Sequence, residues 1–547
     1  MYACPNCGGN IKFDPATQMM KCSYCGTMIS PHDKMYAHGA DEEKGIDTEA
    51  DDEYEVTYYT CPQCGGELIT DDNTAATFCS YCGSSTILEM RVGKEKKPDY
   101  IIPFKKTRED CVKEYKKVLR RAIFAPNELR KDETVDRFRG IYMPYWIYGV
   151  KKKGDFSVNG ITSKRRGDYI YKSHYTMTTN VDVDYSGISY DASSSFEDRL
   201  SEAIAPFDLN ESDHFTSAYF SGFYADTSDV SAKLYDDDAK NATMSDAAAI
   251  ICKDNTYSKH GASTADVVRG LESRGTDVSH KMGMFPVWFL SNQTGDRVSY
   301  AVVNGQTGKV AMDMPIDIKK YFLGCLIIAL PLCALLLFSR ILIGPKILIG
   351  LTMVISLIVL ILANKQANTL FAREILFDDK GYNSKKTTAQ IRETQELLKG
   401  NVKIKKAKIT PQNGGKGVTA AFAYAGIGLA LGSIVGMGPL IAVIVLVVML
   451  IYNAATKNIV PKDRVIVKAP FSKKVGLTIF PLITIIAGAL VFMINPFQDS
   501  IYYGTAILGM VMTGYTVIRL VARHNMLSSR KLPQFNKRGG EEHENED

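Results

Sequence analysis

Eight of the twelve cysteines stand in two copies of one pattern near the start of the chain. Cys4 and Cys7 are followed by Cys22 and Cys25, and Cys61 and Cys64 by Cys79 and Cys82. Two CxxC pairs at this separation supply four thiolates, a soft and closed set that suits one tetrahedral divalent metal, zinc above all. Iron, which four thiolates in such knuckles also suit, stays open as the alternative metal. A glycine stands directly behind the second cysteine of each pair: Gly8, Gly26, Gly65 and Gly83. It permits the positive φ with which the backbone turns beneath a metal and points amide hydrogens at the sulfurs. The rival chemistry is a redox CxxC, which needs a helix starting at the first cysteine within a βαβ pattern. Gly8-Gly9 and Gly65-Gly66 argue against that helix. The expectation is two structural zinc ions in tandem ribbons, residues 1–40 and 56–92.

Residues 41–55 carry nine acidic residues and one lysine without apolar periodicity, and read as a solvated linker between the ribbons. Reduced, metal-binding cysteines imply a cytosolic or nuclear face. Cys111, Cys252, Cys325 and Cys333 are scattered and read as packing residues. Met1 to Cys7 leads straight into the first knuckle, so no cleavable signal is expected.

Behind the ribbons, residues 91–131 hold fourteen Lys or Arg against six Asp or Glu. Thr107 with Asp110 marks a helix start, and Val112, Tyr115, Val118, Leu119, Ala122 and Ile123 keep helical spacing. The basic face opposite, from Lys113 to Arg121, reads as solvated, with lipid or nucleic acid contact as the sharper alternative. With that helix, residues 93–319 form one soluble α+β domain. Arg139–Val150, Asp168–Thr179, Val181–Tyr190 and 282–314 predict strands; Phe196–Ala205 and a stretch between Asp229 and Cys252 predict helices. The two tryptophans occupy matching contexts, Met143-Pro144-Tyr145-Trp146 and Phe285-Pro286-Val287-Trp288, and read as core indoles before a ligand-binding pair. Val303 to Val310 fails the phosphate-loop template and reads as a hairpin turn at Asn304-Gly305.

From residue 320 the composition becomes apolar. Runs free of Asp, Glu, Lys and Arg cover about 321–338, 347–363, 418–455, 475–494 and 501–518, each single run near the ~20 residues that cross a bilayer. Gly436-Met437-Gly438-Pro439 divides the long run in two. The expectation is an all-α bundle of six transmembrane helices, in pairs at 320–363, 418–455 and 475–518. Residues 364–417 carry twelve Lys or Arg, 456–474 carry six, and the tail after 518 six more. By the positive-inside rule these basic segments, including the tail 519–547, are cytoplasmic, as are both termini of a multipass inner-membrane protein. A short helix is expected at Thr388–Lys399. The strip Val402 to Ile409 reads either as a contact with anionic headgroups or as ordinary orientation charge. Gly428, Gly432 and Gly436 form a groove for close helix packing within the chain, or else for a homo-oligomer.

Chemistry beyond the metals is sparse. No GxxxxGK[ST], HExxH or GxSxG is present, so no catalytic residue is assigned and the chain reads as no enzyme, although an active site can be assembled without a motif. Nucleic acid binding draws most of its affinity from phosphate contacts. Residues 1–40 hold three lysines against two aspartates, and 56–92 one arginine against four acidic residues. This charge disfavours nucleic acid and favours a protein partner for the ribbons.

The order of parts, namely CPxCGG and YCG knuckles, IYMPYWIY, FPVWFL followed by VNGQTGKV, then apolar helices, resembles a group of bacterial membrane proteins with N-terminal zinc ribbons. The ribbons alone are similar to those of transcription factor TFIIB and of primosomal helicase. The resemblance implies zinc at all eight knuckle cysteines. Helicase activity does not carry over, since no nucleotide-binding loop is present. The resulting expectation is a membrane protein whose cytosolic ribbons and α+β domain bind or sense a cytosolic partner. The alternatives are a transport or envelope-assembly component with regulatory ribbons, and a membrane-tethered nucleic acid binder.

Overall fold

The computed structural model describes residues 3–33, 53–69, 79–84, 89–271, 275–338, 344–376, 380–384, 402–405, 464–467 and 469–533. It divides into two units. One comprises Met1–Met314, Phe377–Ile391 and Ser528–Asp547, the other Pro315–Leu376 and Arg392–Leu527.

The first unit begins with a three-stranded sheet, β1 (Ile11–Asp14), β2 (Met19–Cys22) and β3 (Met28–Ile29), antiparallel and in that order. The next strands, β4 (Glu53–Thr60), β5 (Glu67–Ile69), β6 (Glu89–Lys96) and β7 (Tyr100–Ile101), already belong to a twelve-stranded sheet. β4 therefore starts within the stretch read as an acidic linker; residues 41–52 lie outside the described residues. Helix α1 (Arg108–Arg121) starts where the sequence places it. Thr107 and Asp110 close a reciprocal capping box that satisfies two orphan backbone donors. Cys111, Tyr115 and Leu119 are buried beneath it, whereas Ile123, assigned to the apolar stripe, lies past the helix end and is exposed.

Two long strands, β8 (Arg139–Arg166) and β9 (Tyr169–Asp191), form one antiparallel hairpin. β8 runs past the expected end at Val150, where KKKGDFSVNG is too poor in β-branched residues to signal a strand. Its buried residues alternate nonetheless, Phe156 and Val158 facing inward. Helix α2 (Asp198–Ile204) follows, then β10 (Asp213–His214), β11 (Tyr224–Ala225), α3 (Asp236–Ile251) and α4 (Thr264–Leu271). β12 (Thr276–Thr294) lies antiparallel to β8 with Met143 opposite Phe285, so the two tryptophan segments are neighbouring strands. Each indole Nε1 donates to a backbone carbonyl, Trp146 to Val230 at 2.7 Å and Trp288 to Lys106 at 3.0 Å, as core indoles do. β13 (Arg297–Asn304) and β14 (Val310–Met312) pair as a hairpin, with Asn304 Oδ1 accepting from the Gln306 and Thr307 amides.

Among its described residues the second unit has four helices long and apolar enough to cross a membrane: α5 (Ile318–Phe338), α6 (Pro345–Leu376), α7 (Phe471–Ile494) and α8 (Asp499–Leu527). These supply four of the six spans expected from the sequence. The other two, assigned to 418–455 together with Gly428, Gly432 and Gly436, lie outside the described residues, as does the helix expected at Thr388–Lys399. Close packing among the described helices occurs at other glycines. A Cβ at Gly509 would stand 2.6 Å from Thr484 Cγ2, and one at Gly488 2.7 Å from Met353 Cγ, the contact geometry that small residues permit between membrane helices. Ser356 Oγ and Thr513 Oγ1 share a buried hydrogen bond of 2.7 Å. Val402–Lys405 forms a strand paired with Arg464–Val467, which the alternation of valine or isoleucine with lysine allows but does not single out.

Candidate metal centres

Each predicted set of four cysteines converges. The sulfurs of Cys4, Cys7, Cys22 and Cys25 lie within 4.8 Å of one another, and so do those of Cys61, Cys64, Cys79 and Cys82. In the first set Cys4 Sγ is 3.5 Å from Cys25 Sγ, and Cys7 Sγ 3.5 Å from Cys22 Sγ. In the second, Cys61–Cys82 measures 3.8 Å and Cys64–Cys79 3.7 Å. These separations exceed a disulfide bond of ~2.05 Å. They match the edge, about 3.8 Å, of a tetrahedron of sulfurs each ~2.3 Å from one metal ion.

The knuckles that hold them are built alike. Gly8, Gly26, Gly65 and Gly83 adopt φ of 72°, 73°, 71° and 76°. Each of these glycine amides donates back to the carbonyl of the first cysteine in its pair, over 2.7 Å from Gly8 to Cys4 and 2.7 Å from Gly65 to Cys61. The tight turn brings backbone amides toward sulfur, as where Gly66 N donates to Cys64 Sγ at 3.4 Å. Such donors stabilise thiolate over thiol.

Protonation within each set is uneven, because the sulfurs share protons. Thr27, whose hydroxyl lies 3.0 Å from Cys25 Sγ and whose amide also donates, brings the Cys25 thiol down to about 6. The Gly9 amide acts to lower Cys7, but contacts with the Cys25 and Cys22 sulfurs push it up to about 12. In the second set hydrogen bonds from Cys64, Cys79 and Cys82 depress Cys61, while contact with Cys61 raises Cys64. A divalent cation at the centre favours the thiolate of all four together, so binding releases protons.

The surroundings of the two sets differ. Cys61, Cys64, Cys79 and Cys82 are buried in the same apolar cluster as Ile141, Met143 and Phe289. Tyr81 joins them, fully buried, with its ring 6.0 Å from that of Phe289 and its carbonyl accepting from Tyr300 Oη at 2.7 Å. Asp226, also fully buried, faces the Tyr81 hydroxyl; desolvation raises its carboxyl to about 7 against hydrogen bonds from Ser193 and Tyr81. In the first set Cys4 and Cys22 are buried while Cys7 and Cys25 are exposed. This ribbon docks by its inner face: Phe13 N donates to Ser221 O at 3.0 Å, Ser221 Oγ to Ile11 O at 2.6 Å, and the Phe13 ring meets Tyr219 edge-on at 4.9 Å. His32 Nε2 lies 2.6 Å from Asp213 Oδ2 and anchors the end of the ribbon. Sequence patterns identified every cysteine but not these docking partners, which come from residues about two hundred positions away and carry no motif.

No family model matches the chain, and no solved structure matches it. It is similar to the uncharacterised protein YdjG of Bacillus subtilis (strain 168), with 26% identity over 324 residues that cover 58% of this chain and 90% of that protein.

Proposed function

We propose that each four-cysteine set holds one structural zinc ion, and that the chain is a multipass inner-membrane protein with both termini in the cytoplasm. Its zinc ribbons and sheet unit form a cytosolic module that binds or senses a protein partner, with no catalytic activity of its own. Four thiolates in two glycine-backed knuckles favour zinc over harder cations, and the cytosol keeps such thiols reduced. The observation that carries the partner-binding reading is a difference at one motif position. Tyr24 of the first ribbon is 81% exposed, while Tyr81, its equivalent in the second, is fully buried. An exposed tyrosine held between two metal-binding cysteines is a rigid amphipathic contact, the kind enriched at protein interfaces.

A photo-crosslinking amino acid at position 24 of the full chain, expressed in intact cells, tests this reading. The expected result is capture of one defined cytosolic protein, lost on Cys7→Ser, from a chain that carries two zinc ions by elemental analysis. A chain loaded with zinc that captures nothing above the level of the Cys7→Ser variant sinks the reading.

A further inference from the structure

The outer end of the β8–β9 hairpin carries a composition that the sheet does not need. Its last connection to the body is at Gly261, where Ile161 N donates to the Gly261 carbonyl. From Ser163 to Lys172 no hydrogen bond or ion pair among the described residues joins the hairpin to another element. Tyr169, Ile170 and Tyr171 are 73%, 64% and 59% exposed there. The same end holds Lys164, Arg165, Arg166 and Lys172 against a single acid, Asp168.

The register orders these groups. Arg166 stands opposite Tyr169, Arg165 opposite Ile170, and Lys164 opposite Tyr171. Directly opposed residues share a face, and successive pairs alternate between faces. Both faces of the ribbon therefore present a cation beside a large apolar side chain. A groove on a folded partner would cover one face and leave the other exposed without use. A medium entered end-on meets both.

We propose that this hairpin end inserts into the interfacial layer of an anionic lipid bilayer. Tyrosine rings sit at the headgroup level of membranes, and lysine or arginine beside them reaches the phosphates. The charge is complementary to an anionic leaflet, and, resting on the membrane-protein reading proposed above, the four membrane-length helices among the described residues keep a bilayer at high effective concentration. Nucleic acid is the weaker match: bases can stack on Tyr169 and Tyr171 but leave the exposed aliphatic Ile170 between them without a partner.

The test uses the full chain carrying Ile170→Trp, reconstituted into vesicles of phosphatidylcholine alone or of phosphatidylcholine with equimolar phosphatidylglycerol. Each contains a lipid spin-labelled near the headgroup. Trp146 and Trp288, both bonded within the sheet unit, give a background that the parent chain measures. Quenching of the introduced indole should be several-fold stronger in the anionic vesicles, and should fall to the phosphatidylcholine level when Lys164→Glu, Arg165→Glu and Arg166→Glu are added. These three side chains are exposed, and an unchanged metal content shows that the variant is folded. Equal quenching in both vesicles, or in anionic vesicles with and without the three reversals, overturns the proposal. So does an indole that ignores phosphatidylglycerol but is shielded from aqueous iodide by a single-stranded oligonucleotide, which would assign the hairpin to nucleic acid.

Discussion

The two ribbons share a motif residue for residue, yet the molecule uses them in opposite ways. In the first, the knuckle edge bearing Cys7, Tyr24 and Cys25 is exposed and the inner face rests on the sheet through Phe13 and Ser221. In the second, all four cysteines and Tyr81 lie within the core, and β5 pairs with β11 so that the ribbon's strands continue the large sheet. A metal knuckle is rigid because its ligands fix it, so it can serve either as a displayed surface or as a filler of interior volume. What decides is the supply of complementary apolar surface, here Phe289, Met143 and Tyr300 around the second copy.

The largest effect expected from this difference comes from removing a metal ligand. Cys64→Ser should abolish cooperative folding of the sheet unit, because structural zinc contributes ~10–16 kcal/mol in small metal-dependent folds and the emptied site would leave buried polar groups. Cys7→Ser should lose one zinc ion while the sheet unit keeps its unfolding midpoint. Elemental analysis with denaturant titration reads both outcomes. Equal loss of stability in the two variants would show that the ribbons are structurally equivalent.

Next in size is the tyrosine pair. Tyr81→Ala opens a cavity in the core and should cost about 3–5 kcal/mol, the range for a large buried aromatic ring. Tyr24→Ala should change stability by less than ~0.5 kcal/mol, as exposed substitutions do. Unfolding midpoints in urea check the pair.

The larger pH dependence should arise beside the second ribbon, where Asp226 faces the Tyr81 hydroxyl. Burial raises the Asp226 carboxyl from its ordinary 3.8 to about 7. The folded state then binds the proton more tightly than the unfolded chain. Stability from this group is full below pH 3.8, falls as pH rises, and is lost once pH passes about 7. Asp226→Asn, which cannot ionise, should remove that slope. Urea midpoints across this range read it, and an unchanged slope in the variant would show that Asp226 does not couple to folding.

The sequence made some of this comparison readable and hid the rest for physical reasons. Metal ligation demands fixed residue types at fixed spacing, so Cys4 to Cys82 and the positive-φ glycines stood out. The Thr107–Asp110 capping box was equally local. Which ribbon would be buried was not legible, because Tyr24 and Tyr81 sit in the same CSYCG motif and their environments come from Tyr219, Phe289 and Tyr300 far along the chain. The continuous 28-residue strand β8 was also hidden, since alternation across lysine, glycine and serine gives a weak signal until its partner strand is known. Composition carried the four described helices that are long and apolar enough to cross a membrane, for which hydrophobic length is itself the physical requirement.

The smallest effect probes how the first ribbon is attached. His32 and Asp213 are 46% and 39% exposed, so solvent screens their pair and it is worth under ~1 kcal/mol. Against the cost of desolvation, hydrogen bonds from His32 and Tyr219 hold the Asp213 carboxyl below its ordinary 3.8. This contribution is therefore present above that value and is lost as pH falls further. Asp213→Asn should speed amide exchange in β1 and β2 by a few-fold near neutral pH and leave exchange in β4, β5 and β8 unchanged. A small, local response means the first ribbon can loosen from the sheet without unfolding it. If exchange in β8 accelerates as much as in β1, the first ribbon is as integral to the fold as the second, and the contrast between them fails.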